Sequence, residues 1–329
     1  MEANLQTPGN RISRTIRAIT SFRESVLLLV LVVFGIVMTA ASPVFLNWQN
    51  LEAILLGLSV EGPVTVGMVI LLISGGLDLS VGSTLAWTGV VTGLALTAQV
   101  PVLLSILLGL LAALAVGLAN GLLVSKMKIN PFIVTLGMMT TVRGLLLVVA
   151  QGRAVLNLPP GFTVIGQGRL FGVQYPIYVV LVIVIIGEIL MRNSRFFRQA
   201  YYIGGNERAA RLSGINVGFV KIFYYCLVAV LAGVSGLMIT ARFGSSSLTV
   251  GSGVEMRVIT ATIIGGASLS GGEGSVIGAF LGALFMATLA NGLNLLGVDV
   301  YWQNLVTGLI LILAVVFDVI NEQRKAGRK

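Results

Sequence analysis

The sequence predicts an all-α, polytopic membrane protein of about ten spans, each needing roughly 20 apolar residues to cross the hydrocarbon. Three observations predict it: a composition too apolar for water, apolar runs recurring at span length, and basic residues gathered in alternate connections. Hydrophobic residues make up 56% of the 329 and charged residues 10%, with a mean hydropathy of +0.99. A soluble domain carries about 25% charged residues. Lipid can solvate the excess apolar surface, and helices satisfy their own backbone there.

The candidate spans, in order, are Ser25–Ala41, Ile54–Ser74, Val81–Ala98, Pro101–Val124 and Pro131–Ala150, then Pro176–Met191, Gly218–Ala241, Arg257–Leu269, Ser275–Leu296 and Trp302–Ile320. The first follows a basic segment (Arg11, Arg14, Arg17, Arg23) that resembles a signal-peptide start. Its length and the spans behind it favour a retained helix. Ser42-Pro43 stops this span. Asn130-Pro131 reads as an N-cap followed by proline at the first helical position. Gln151–Gln174 holds Pro159-Pro160 and five glycines and reads as a loop. The eighth span is short and glycine-containing, so a half-helix or re-entrant piece is open there, giving a range of eight to ten spans.

Charge sets the expected orientation. With the N-terminus inside and ten alternating spans, 16 of the 21 Lys and Arg fall on the inner side. Six of these lie between Arg192 and Lys221, and four at Arg324, Lys325, Arg328 and Lys329. The positive-inside rule then places both termini in the cytoplasm. Residues 1–24 form a cytoplasmic N-terminal segment, 25–320 the transmembrane domain with a cytoplasmic loop at 192–217, and 321–329 a cytoplasmic tail. The net charge of +9 is loop charge on one membrane face, not a nucleic-acid footprint.

Several chemistries lack their residues. There is no histidine, so His metal sites and His bases are excluded, and no metal or cofactor is expected. There is no GxxxxGK[ST] phosphate loop and no GxSxG elbow, and no catalytic residue is expected. The single cysteine, Cys226, sits in an apolar run as a small packing residue. GxxxG spacings at Gly89/Gly93, Gly117/Gly121 and Gly278/Gly282 suit close helix packing.

The segment Arg192–Asn216 is the most informative. Gly204-Gly205 breaks the chain, Asn206 can cap a helix, Glu207 suits its first turn, Arg211 its last, and Gly214 its stop. The result is a helix of about two turns that must dock to be stable. Two readings are open: a linker on lipid headgroups, or a coupling helix against a partner. The stretch GGNERAARLSGI resembles the cytoplasmic loop of ribose-type sugar ABC importer permeases. ISGGLDLSVG (Ile73–Gly82), NPFIVTLGMM (Asn130–Met139) and VITATIIGGASLSGGEGSVIGAFLGA (Val258–Ala283) resemble the same family, as do NGLNLLGV and WQNLVTGLILILAVVFD, in the same order. The resemblance implies a permease in a bacterial inner membrane. Its implied partners are a second permease copy, identical or not, a cytoplasmic ABC ATPase, a periplasmic solute-binding protein and the surrounding bilayer. It also implies that Gly205, Asn206, Glu207, Ala209, Ala210, Arg211 and Gly214 couple the chain to the ATPase.

For the solute path the candidates are Glu61, Asp78, Trp87, Asn120, Asn291 and Asn294, because a hydroxyl-rich solute needs hydrogen-bonding groups and an aromatic face. Each has a plainer reading. Asp78 caps a helix or stabilises the Gly75-Gly76 break. Glu61 bonds backbone freed by Pro63, or lines a polar cavity. The asparagines join helices. Arg143 pairs with one of the acids. Glu255 and Arg257 sit at the outer mouth, paired locally or contacting the binding protein, and Glu273 is a solvated loop charge. The likeness of ISGGLDLS to IIGGASLS is either chance or the trace of a repeat whose breaks face one pathway. An ion-coupled transporter, kept open by Glu61 and Asp78, is one alternative, and an ABC permease for a non-sugar solute such as a nucleoside or signalling molecule is a second. A membrane enzyme is another, disfavoured by the missing histidine.

Overall fold

The computed structural model describes residues 9–326, with the side chains of residues 24–320 and 323–324. The rest of the two terminal segments, including Arg328 and Lys329, and the side chains of Arg11, Arg14, Arg17 and Arg23 lie outside the described residues. The chain is helical: α1 (Gly9–Ala41), α2 (Trp48–Ile73), α3 (Val81–Thr97), α4 (Val102–Ser125), α5 (Pro131–Val149), α6 (Pro160–Gln167), α7 (Tyr175–Asn193), α8 (Arg195–Gly205), α9 (Glu207–Leu212), α10 (Val217–Phe243), α11 (Val254–Ile264), α12 (Val276–Leu295) and α13 (Val300–Ala326). One two-residue hairpin, β1 (Arg169–Leu170) with β2 (Val173–Gln174), interrupts them.

Eight described helices are long and apolar enough to cross a membrane. The shorter α3, with 17 residues, and α11, with 11, complete a set of about ten crossing elements. At about 1.5 Å per residue α11 is roughly 16 Å long, half of a ~30 Å hydrocarbon core. The eighth span is therefore a half-helix. Its other half is the irregular segment 244–253, which descends beside α3. Ser246 lies at the level of Gly89 and Gly93, and Gly251 at the level of Gly82.

Helix α10 is the hub, packing on α2, α3 and α4. Glycine makes that possible. A Cβ on Gly117 would stand 2.6 Å from the Tyr225 carbonyl oxygen, and one on Gly121 2.9 Å from the Ile222 Cα. A Cβ on Gly282 would stand 2.0 Å from the Ala261 carbonyl, so α12 and α11 are equally close. The GxxxG spacings are thus seams within the chain. By contrast, α1 and α13 expose most of the apolar side chains described on them, as a lipid-facing helix does.

Two features depart from expectation. The loop Gln151–Gln174 contains α6, because Pro160 occupies the first helical turn, where its missing N–H costs nothing, and Phe162 is fully buried. The loop 192–217 holds α8 ahead of the expected short helix. It buries Phe197, Ala200 and Ile203, three residues apart, on one face.

The two similar breaks meet at one end of the bundle. The Gly272 N–H donates to the Ile73 carbonyl at 2.8 Å, joining the end of α2 to the loop before α12. Gly204 fits between them: a Cβ there would stand 1.9 Å from the Ile73 oxygen and 2.4 Å from the Gly272 nitrogen. At the opposite end, Val155 and Ser246 exchange backbone hydrogen bonds at 3.1 and 2.8 Å. There too the Arg169–Glu52 ion pair, 2.9 Å, holds the hairpin on α2.

Candidate functional site

The first candidate is the surface made by α8 and α9. Asn206 caps α9 as its sequence suggests, its side-chain oxygen accepting from the Ala209 N–H at 2.9 Å. Gly214, at φ +84°, ends the turn where L side chains are strained. Glu207 accepts from Arg211 at 2.6 Å on its own helix and from Lys221 of α10 at 2.7 Å. These bonds, Lys221 foremost, hold the Glu207 carboxyl below its usual range. The helix is thereby fixed to a span that crosses the whole bundle. Ala210 faces inward, buried, and Ala209 faces out. Between α8 and α9 opens a cavity of about 490 Å³ lined by Tyr201, Tyr202, Asn206, Ala209 and Ile215 among others. Leu212 stands 85% exposed beside it. Burial pushes the Tyr201 phenol up to about 12, so it stays protonated and donates to the Gly274 carbonyl at 2.9 Å. One side of the cavity is thus tied to the glycine loop that precedes α12.

The second candidate lies midway along the bundle. Arg257 on α11 donates from Nε to Glu61 on α2. Of the two plainer readings of Glu61, backbone bonding is set aside: its carboxylate serves Arg257, not the backbone at Pro63. A proline frees a carbonyl, which is an acceptor, and a carboxylate cannot bond it. Arg257, expected with Glu255 at the outer mouth, stands instead beside the middle of α2, and of the two readings for that pair the local one gives way to the Arg257–Glu61 bond. Arg143 of α5, expected to pair with an acid, donates instead from Nη1 to the carbonyls of Leu248 (2.8 Å) and Val250 (3.0 Å). Non-helical backbone at membrane depth must be satisfied by protein or water, and Arg143 supplies that need for segment 244–253. Glu255, close enough to Arg143 for Coulombic attraction, lies against Gly82. An isolated charge at the centre of a lipid-facing helix costs about 2.5–3.5 kcal/mol on insertion scales. Here two acids and two arginines balance.

The remaining candidates separate. Asp78 is 1% exposed and Asn120 0%. The carboxylate accepts from the Ser80 N–H (2.7 Å), the Ser80 hydroxyl (2.6 Å) and the Asn120 amide (3.2 Å), closing the turn before α3. Of the two plainer readings of Asp78, this is the one that stabilises the break: no N–H of the first turn of α3 bonds the carboxylate. Trp87 packs with Leu146, Ala150 and Leu248, bordering the irregular segment. Asn291 donates to Asn50 at 2.8 Å, and Asn294 accepts from Gln303 at 2.7 Å, both near helix ends. The six residues do not form one site; only Glu61 and Trp87 lie by segment 244–253 and α11. The sequence flagged the charges of Arg143, Glu255 and Arg257 but not their convergence, since their partners are 105 to 196 residues away.

Residues 50–315 match the family described as "Branched-chain amino acid transport system / permease component". The chain is 39% identical over 290 residues to the ribose import permease protein RbsC of Bacillus subtilis (strain 168), covering 88% of this chain and 90% of that one. It is 38% identical over 298 residues to the RbsC of Escherichia coli (strain K12), covering 88% and 92%. It is 37% identical to the L-arabinose transport system permease protein AraH of the same organism, covering 90% and 91%. No solved structure matches. With helices that reproduce the expected spans and similarity to permeases along most of its length, the chain belongs to the branched-chain amino acid transport system permease family.

Proposed function

We propose that this chain is the membrane-spanning permease subunit of an ATP-binding-cassette importer for a sugar or sugar-like solute. The carrying observation is similarity of 37–39% along nearly the whole chain to ribose and arabinose permeases. In this reading a cytoplasmic ATPase binds at α8–α9, a periplasmic protein delivers the solute, and a second permease copy completes the path across a bacterial inner membrane. Both termini are cytoplasmic. Supporting this, the end of the bundle bearing α8 and α9 carries Lys126, Lys128 and the six basic residues from Arg192 to Lys221, whereas Arg153, Arg169 and Arg242 are at the other.

Coupling runs through two links. The Lys221–Glu207 pair ties α9 to α10, and Gly204 and Tyr201 tie α8 to the ends of α2 and the loop before α12. A push on the α8–α9 surface therefore reaches both breaks at once. The test is ATP-driven ribose uptake with Ala209→Glu and with Leu212→Asp, both exposed positions. Uptake should fall at least about tenfold, equivalent to 1.4 kcal/mol of lost coupling, while the amount in the membrane holds. Unchanged uptake in both variants overturns the docking role.

Ion-coupled transport is the competing reading, and Glu61 and Asp78 motivate it. Both carboxylates are engaged, one by Arg257 and the other by neutral donors. Uptake abolished by an uncoupler yet indifferent to loss of the ATPase would favour it.

A further inference from the structure

The middle of the bundle presents a contrast between its exposed surfaces. On α4 and α13 the outward side chains are Leu111, Leu114, Leu309 and Leu313, the residues lipid accepts. On α11 and the segment before it, the outward positions are Thr249, Ser252 and Met256, interleaved with the part-buried Gly251 and Gly253, the first packed against Gly82 of α3. Beside them stand Glu61 and Arg257, whose side chains remain 13% and 29% exposed although each lies in the middle of the bundle. Arg143, half-buried, anchors the same segment from the other side, and Glu255 balances it. Charged side chains and irregular backbone at this depth are stable where they meet water and unstable where they meet acyl chains.

We infer that Glu61, Arg257, Ser252 and Met256 form a water-exposed, charge-balanced rung at mid-membrane that contacts the solute as it passes. The chemistry fits a neutral, hydroxyl-rich solute. A carboxylate and a guanidinium held against each other keep unused acceptor and donor positions, and hydroxyl groups can occupy both without carrying charge. Met256 adds an adaptable apolar contact for a sugar ring face. The balance also keeps the rung from holding either an anion or a cation firmly, which suits a path the solute must leave. The inference deepens the permease reading above and depends on it for the identity of the solute, though not for the exposure of the rung.

The test has two independent arms on the full-length chain in bacterial membranes, in a Cys226→Ser background. In the first, Ser252→Cys and Met256→Cys are treated with the membrane-impermeant cationic thiol reagent MTSET, with Leu313→Cys on α13 as the lipid-facing control. The rung positions should react at least about tenfold faster than the control, because a charged reagent is excluded from hydrocarbon. Equal rates overturn the inference. In the second, radiolabelled ribose uptake is measured per folded copy with the ATPase and binding protein present. Arg257→Gln should cut uptake at least about tenfold, the scale of one lost charge-assisted contact. The paired variant Glu61→Gln/Arg257→Gln keeps both amide partners, so if it folds and transports as wild type, solute contact by the charges is overturned. Rapid labelling with no ribose uptake by the unmodified chain would discard ribose as solute and leave the rung standing.

Discussion

Two stretches of non-helical backbone interrupt the bundle, and they are held in opposite ways. The break at Gly75–Ser80 is closed from within: Asp78, Ser80 and Asn120 bond one another, and all three are at most 1% exposed. The segment 244–253 is held from outside by Arg143 of α5, and it leaves Thr249 and Ser252 exposed. Both satisfy the rule that buried backbone needs partners, the first at the end of the bundle and the second at membrane depth. The difference teaches where to look for function. A carboxylate wholly occupied by neutral donors is a structural part, however conspicuous an acid looks inside a membrane. A cation spent on carbonyls, with further part-exposed charges beside it, marks backbone that is kept irregular for a reason.

The largest expected effect breaks the outer clamp. Arg143→Met keeps the length of the side chain and removes both donors, leaving the Leu248 and Val250 carbonyls bare at about 1–3 kcal/mol each. The midpoint of thermal unfolding in detergent should fall clearly. Arg143→Lys, with a point charge in place of a planar fork, should recover only part of the loss. Full stability of Arg143→Met would mean that water alone satisfies the segment.

The inner break responds to shape more than to charge. Asp78→Ala removes the acceptor for Ser80 and Asn120 and should cost about 1–3 kcal/mol. Asp78→Asn keeps one oxygen acceptor and should cost less than the alanine change, with uptake retained. Stability and uptake, read together, separate the two roles. Abolished uptake in a well-folded Asp78→Asn protein would return Asp78 to the solute or ion path and remove the contrast between the two breaks.

Much of this was legible in the residue order. The span set, the caps at Asn130 and Asn206 and the stop at Gly214 depend on neighbours within a few positions, and they appear where the sequence places them. The short eighth span announced itself by its length. What was not legible depends on distance. Glu61 and Arg257 are 196 residues apart, and Arg143 reaches a carbonyl, which every residue carries, so no side-chain pattern points to it. Helix α8 was hidden for another reason. Its apolar face is carried by Phe197, Ala200 and Ile203 among basic and polar neighbours, too short a periodic run to stand out beside the spans.

The smallest effect sharpens the comparison at the edge of the protein, where water screens charge and a clamp is worth less. Glu207 holds α9 to α10 through Lys221 and closes on Arg211, and these bonds lower its folded pKa. The sign follows. The stabilisation is fully present above the unfolded carboxylate value, near 4.3, and is lost as pH falls through the lower folded value. A spin label at Ser213→Cys, in the Cys226→Ser background, should stay immobile through neutral and mildly acid pH and gain motion only below the ordinary carboxylate range. Lys221→Met removes the largest cause of the shift, so the onset should move up toward the ordinary value. An onset unmoved by Lys221→Met would show that α9 is held by its apolar contacts, with Ala210 against the bundle, and that its ion pair contributes little, as exposed pairs often do.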